Sequence, residues 1–325
     1  FVTRGALALA AAGGSVELAT PLDAGLGAVT VRAAQDVRIA QPVVQLRGGS
    51  GFSVVAGRDV VVDAQIDGGG AVDLEAGGSV RFNASVVTQG APIRARAGGT
   101  IATAAGQGLY AEGGATIDLR AGGDFTTGRL STTGPLHLTA THGSLTLGEG
   151  LDATTGAVTL RAGTDVVIDA PVASLRGGSA LSALAGRDVL VRAPVDGRDG
   201  AAAGGSASFV AGRDVQLQAS VTTRDGAISV AAVEGTVQQA AGTQLRSGRA
   251  TIDVGAGADL VTGSFVTSGA LLLHSTRGSV AVAESIYDST GATTIRAAVD
   301  VTVRPGVRVE NVRSGAALAI DAGRD

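Results

Sequence analysis

The sequence predicts an all-β fold: a right-handed parallel β-helix of about fifteen triangular coils, roughly 22 residues to a coil. Three observations predict it. One short phrase recurs along the whole chain at a nearly constant interval. Within each interval, apolar and polar residues alternate in three short runs. The composition is that of a narrow interior with many turns.

The phrase is a pair of alternating apolar residues, then Ala-Gly-x, then an Asp, Ser or Thr, then Val-x-Val or Val-x-Ile. Anchored on its Asp, Ser or Thr, it runs Ser15, Asp36, Asp59, Ser79, Thr100, Asp124 and Ser144, then on through Asp165, Asp188, Asp214, Thr236, Asp259, Ser279 and Asp300 to Asp325. The intervals are 20 to 26 residues. They also repeat as a set, so that six coils form a block of 129 and then 135 residues. Gly27-Ala28-Val29-Thr30-Val31 returns as Gly156-Ala157-Val158-Thr159-Leu160, and Leu46-Arg47-Gly48-Gly49-Ser50 as Leu175-Arg176-Gly177-Gly178-Ser179. The super-repeats span about 14–142, 143–277 and a partial copy at 278–325, so the 325 residues are expected to form one extended solenoid domain.

Each element of a coil follows from its residues. Val29 and Val31 alternate with Ala28, Thr30 and Arg32, which makes a short half-buried strand. Gln35-Asp36 makes a corner where Asp is expected to hydrogen-bond its own backbone. Val37 and Ile39 form a second strand, Pro42 marks a break, Val44 and Leu46 form a third apolar pair, and Gly48-Gly49 closes the coil. Glycine is expected at corners that need positive φ. No run is long enough for an amphipathic helix, and propeller blades need about twice this period. Stacked at about 4.8 Å per coil, the array would extend roughly 70 Å.

Composition agrees. Hydrophobic residues make up 45% of the chain but aromatics only 2%, and there is no Trp or Met, so the core is expected to be small and aliphatic. Net charge is −4, which with this hydrophobicity excludes disorder and gives no basic footprint for nucleic acid. Zero Cys removes disulfides, thiolate metal sites and thiol nucleophiles. No apolar run reaches the length of a membrane span.

The Ala-Gly-Gly-Ser-Val and Ala-Gly-Arg-Asp-Val phrases at 76–80, 56–60, 185–189 and 211–215 resemble the shaft repeats of filamentous haemagglutinin-type exoproteins. That resemblance covers nearly the whole chain. It implies a scaffold on the outer surface of a Gram-negative cell, exported through an outer-membrane two-partner transporter. The implied ligands are glycans or proteins of host-cell or biofilm surfaces. A related shaft that delivers a toxin to a neighbouring cell is the alternative. The family's secretion domain, with its Asn-Pro-Asn-Leu motif, has no counterpart in these residues. The chain begins and stops mid-coil, which predicts a piece of a longer array able to associate end to end. A disulfide-free chain suits export through an oxidising periplasm.

Chemistry has few candidates. The anchor Asp residues lack the Gly-Gly-x-Gly-x-Asp pattern of calcium-binding repeats and read as turn caps, so no metal or cofactor is expected. A β-helical polysaccharide lyase or hydrolase would need gathered carboxylates. Asp63 with Asp67, and Asp165 with Asp169, have spacings that recur as ordinary outward positions, and His137, His142 and His274 occupy non-equivalent places in the blocks. The reading is therefore non-enzymatic. Tyr110 and Tyr287 are the expected outward aromatics, enough for weak glycan contact but not for a lectin pocket. Arg198-Asp199-Gly200 and Arg224-Asp225-Gly226 read as turns. The strongest site candidate is the insertion at 196–205, where Asp196, Arg198 and Asp199 would stand on a loop raised from the coil.

Overall fold

The computed structural model describes residues 2–3, 5–25, 27–46, 50–153, 156–173, 180–197, 205–288, 291–311 and 316–324. It is a parallel β-solenoid. Contacts divide the chain into two units, Phe1–Ala162 and Gly163–Asp325. In each unit, every coil lays one strand on each of three parallel sheets, so each strand pairs with the strand three places earlier and three places later. The coil that begins at Gly27 runs Val29–Ala33, Val37–Ile39 and Val43–Leu46.

The three faces differ in kind. The long face carries strands of five residues, eight of them in the first unit and seven in the second. Their odd positions point inward, as in Val29, Val31 and Ala33 or Leu181, Ala183 and Ala185. The last inward position is Ala throughout, except at Ser275 in Leu271–Ser275. The short face carries strands of three residues, such as Val37–Ile39 and Val189–Val191, with both ends buried. The third face is irregular. There Val43 and Leu46 are the buried pair rather than Val44 and Leu46, because a bulge shifts the register between Ile66 and Gly68 of the next strand.

Two expectations about the interior are corrected. The core is not purely aliphatic: Phe52, Phe82, Phe125, Phe209 and Phe265 are among its largest fully buried side chains. One ring fits where its stacked neighbours are small, as Phe52 does between Val29 and Val72. The repeating corner glycines are also not there for positive φ. Among the described residues, positive φ occurs at Gly90, Gly113 and Gly114, where two coils close as expected, and in turns at Gly106, Gly242 and Gly306, but not in the column before the anchors. The corner column Gly57, Gly77, Gly98 and Gly122 instead answers close stacking. A Cβ on Gly77 would lie 2.3 Å from the carbonyl oxygen of Gly57, and one on Gly98 would lie 2.2 Å from that of Gly77.

Candidate functional site

The corner that opens the short face holds the anchors, and their side chains do not bond their own backbone as expected. The Asp and Ser anchors instead accept the backbone N–H of the anchor in the following coil. Asp36 accepts from Asp59 at 3.2 Å, Asp59 from Ser79 at 2.7 Å, and Ser79 from Thr100 at 3.1 Å. In the second unit Asp165 accepts from Asp188 (3.2 Å), Asp188 from Asp214 (3.1 Å), and Asp214 from Thr236 (2.7 Å). Asp and Ser interchange here because the position needs one short acceptor arm, whereas the hydroxyls of Thr100 and Thr236 bond back to Ser79 and Asp214 of the coil before. The turn-cap reading thus becomes an intercoil ladder.

Arginine adds a second rung. Where the anchor is preceded by Arg, that Arg forks onto the anchor of the coil before. Arg58 reaches both carboxylate oxygens of Asp36, Arg187 those of Asp165, and Arg213 those of Asp188. The Arg58 hydrogen bonds are the main cause that lowers the Asp36 carboxyl to about 2. Arg187 depresses Asp165 in the same way. Of the four carboxylates considered for catalysis, Asp63, Asp165 and Asp169 are engaged likewise, while Asp67 lies on the third-face strand Ile66–Gly68 in register with Val87. Asp63 accepts from Asn83 at 2.7 Å and Arg38 at 2.6 Å, which together hold it below the usual carboxylate range, and Asp169 accepts from Arg192 at 3.1 Å.

A third device spans two coils. Gly106 donates its N–H to Glu149 at 2.6 Å, and at the block-equivalent place Gly242 donates to Glu284 at 2.6 Å. Each glycine sits in a turn closed three residues apart, Gln107 N–H to the Ala104 carbonyl and Thr243 N–H to the Ala240 carbonyl. The intervening coil passes under the carboxylate because its own connection there is a single glycine, Gly128 or Gly263.

Of the remaining candidates, Asp196 lies on the third-face strand Val195–Gly197, paired in register with Thr222. Arg198 and Asp199, like most of the insertion, lie outside the described residues. Arg224–Gly226 is a bend between strands. Tyr287 is exposed, whereas Tyr110 is half-buried. The histidines are not brought together: His137 stands beside Asp118 in register, and the Nδ1 of His142 lies 3.1 Å from the Gly122 carbonyl oxygen. Among the described residues, no three His, Cys, Asp or Glu side chains converge as metal ligands.

His274 is different, although the sequence reading set it aside with the other two histidines. It projects outward from Leu271–Ser275 on the long face of the second unit, and its ring lies over Gly255 of the preceding strand. A Cβ on Gly255 would sit 2.4 Å from the His274 Cε1. The Asp253 Oδ1 lies 3.4 Å from His274 Nε2, and this buried oxygen has no hydrogen-bond partner. Shallow grooves flank the ring. One, of about 200 Å³, runs over Ala231, Val233 and Gly255; the other, of about 310 Å³, is lined by Leu272, Thr276, Thr294 and Arg296. The available signal was a glycine inside a strand, which marks a place where something approaches closely. The first block carries Arg120 and Thr139 at the places of Gly255 and His274.

Comparison with family models, with curated proteins and with solved structures finds no match to this chain.

Proposed function

We propose that the chain is a structural scaffold: a shaft segment of a secreted bacterial surface protein of the filamentous haemagglutinin type, which holds a binding element away from the cell. A parallel β-solenoid of repeated coils is consistent with a structural role. The observation that carries the reading is the fate of the polar groups that recur in every block. Anchor carboxylates and serine hydroxyls are committed to the next coil's backbone, the forked arginines to the previous coil's anchor, and Glu149 and Glu284 to a turn two coils away. These groups are engaged in cohesion along the stack, where a catalyst would hold carboxylates free. On this reading the protein turns over no substrate, and its work is to resist extension.

Single-molecule pulling from the two termini tests it. Each released coil of about 22 residues should lengthen the chain by about 70 Å, giving a regular series of steps. Extension without such resistance, or turnover of acidic polysaccharides by the purified chain, would sink the scaffold reading. Surface placement is tested separately, by whether protease added to intact producing cells degrades the chain.

A further inference from the structure

We propose that the groove between Leu271–Ser275 and Thr293–Ala297 on the second unit is a binding site for one hydroxylated carboxylate of monosaccharide size, the acidic unit of a glycan. The inference does not depend on the scaffold reading, since a solenoid with any other role could carry this groove.

Size, lining and charge each bear on the ligand. The groove's volume is about 310 Å³. A water occupies about 30 Å³ of liquid, so the space suits a six-membered ring and is at the lower limit of ligand sites. Its wall offers an apolar surface in Leu272, which is 37% exposed, where the C–H face of a sugar ring can lie. Thr294 and Thr276 place hydroxyls along the same groove. Arg296 is exposed and makes no ion pair or hydrogen bond among the described residues, so its five donors are available. The charged or titratable groups facing His274 from the adjoining strands are Asp253 before it and Arg296 after it. Asp253 lies against the imidazole edge above Gly255, 3.4 Å from His274 Nε2. The carboxylate beside Arg296 in register is that of Asp321, on the far side from the groove's His274 wall. Arg296 makes no ion pair to it, so the guanidinium donors stay open to the groove. Guanidinium recognises carboxylate through paired hydrogen bonds, and an anion without an apolar body would leave the Leu272 surface unused.

The chain supplies its own control. Thr159 and Arg161 stand in the first block where Thr294 and Arg296 stand in the second. The neighbours differ: His137, Thr139 and Arg120 replace Leu272, His274 and Gly255. Arg120 is occupied by Asp118, with hydrogen bonds of 3.0 and 3.2 Å. Three changes in one block therefore give the second unit its apolar wall, its imidazole and the space the ring needs.

The test uses the full chain with ¹³C-labelled histidine, whose three ring signals are assigned with His274→Thr. D-glucuronate should shift the His274 signal saturably in the millimolar range, while His137 and His142 stay fixed. Arg296→Gln should weaken binding about tenfold. The double variant Gly255→Arg/His274→Thr should abolish saturation transfer to the sugar; it installs residues that the coil already accommodates at 120 and 139, so its fold is expected to survive. No shift with glucuronate overturns the proposal. So do equal responses to glucose, acetate or inorganic phosphate, and so does undiminished binding by Arg296→Gln with an unchanged melting temperature.

Discussion

The long faces of the two units have similar inward residues and very different outward ones. In the first unit eight of the sixteen outward positions are charged, Arg32, Asp73, Glu75, Arg94, Arg96, Asp118, Arg120 and Arg161, with Arg94 paired to Asp73 at 3.3 Å. In the second, the strands from Leu181–Ala185 to Ile252–Ala256 present Ser182, Leu184, Ser208, Val210, Ser229, Ala231, Asp253 and Gly255, a single charge among them. Beneath both runs a similar core of Val, Leu, Ile and terminal Ala, with one Phe inward in each, Phe52 and Phe209. An inward residue is judged by the coils above and below it, so it can change only within a fixed volume. An outward residue touches two neighbours and water, and is free to diverge. Any individuality between the units therefore lies outside the repeat's own logic.

If the interiors are interchangeable, damage to them should be equal. Phe52→Ala and Phe209→Ala should each cost about 3–5 kcal/mol in urea unfolding, the largest effect expected here. A loss in only one unit would break the equivalence. Gly57→Val and Gly186→Val, at block-equivalent corners, should each cost about 2–3 kcal/mol, since their Cβ atoms would both lie 2.2 Å from a backbone carbonyl oxygen of the preceding coil. Glu149→Ala and Glu284→Ala should each cost about 1 kcal/mol.

The smallest effect concerns acid. Asp36 is lowered to about 2, chiefly by Arg58, while an unfolded carboxylate titrates near 4. Its contribution is therefore complete above about pH 4 and is lost as pH falls through about 2. Melting temperature measured from pH 5 to pH 2 should decline, and Arg58→Gln and Arg187→Gln should each flatten the decline slightly. A steeper decline in either variant would contradict the assignment.

Much of this architecture was legible in the chain. Alternation at Val29-Val31 and Val37-Ile39 gave the strands, and the spacing of the anchors gave the coil. What could not be read was whatever depends on the coil next door. Asp36 looks like a residue that caps its own turn, and only stacking shows that its acceptor serves Asp59. Gly77 looks like a positive-φ residue until the Gly57 carbonyl is placed against it. The Phe rings were hard to place because one coil cannot show that its neighbours leave them room. His274 was weighed only as one of three unrelated histidines because its neighbours in register, Gly255 and Arg296, are about 20 residues away in opposite directions. The proposed insertion site at 196–205 was chosen on loop position alone, and only Asp196, Gly197 and Gly205 of it fall among the described residues.

The carboxylate that reaches past one coil to the next has a consequence for how the stack comes apart. A solenoid whose coils speak only to adjacent coils behaves as a one-dimensional chain that can melt at any boundary. Glu149 in the first unit and Glu284 in the second add a second-neighbour term, joined in the second by Arg277, which donates to the Glu234 carbonyl oxygen at 2.6 Å, so the coil between each such pair cannot leave without one of its flanking coils. Those places should melt as triplets, which gives a repetitive molecule internal landmarks of cooperativity that its period alone would not provide.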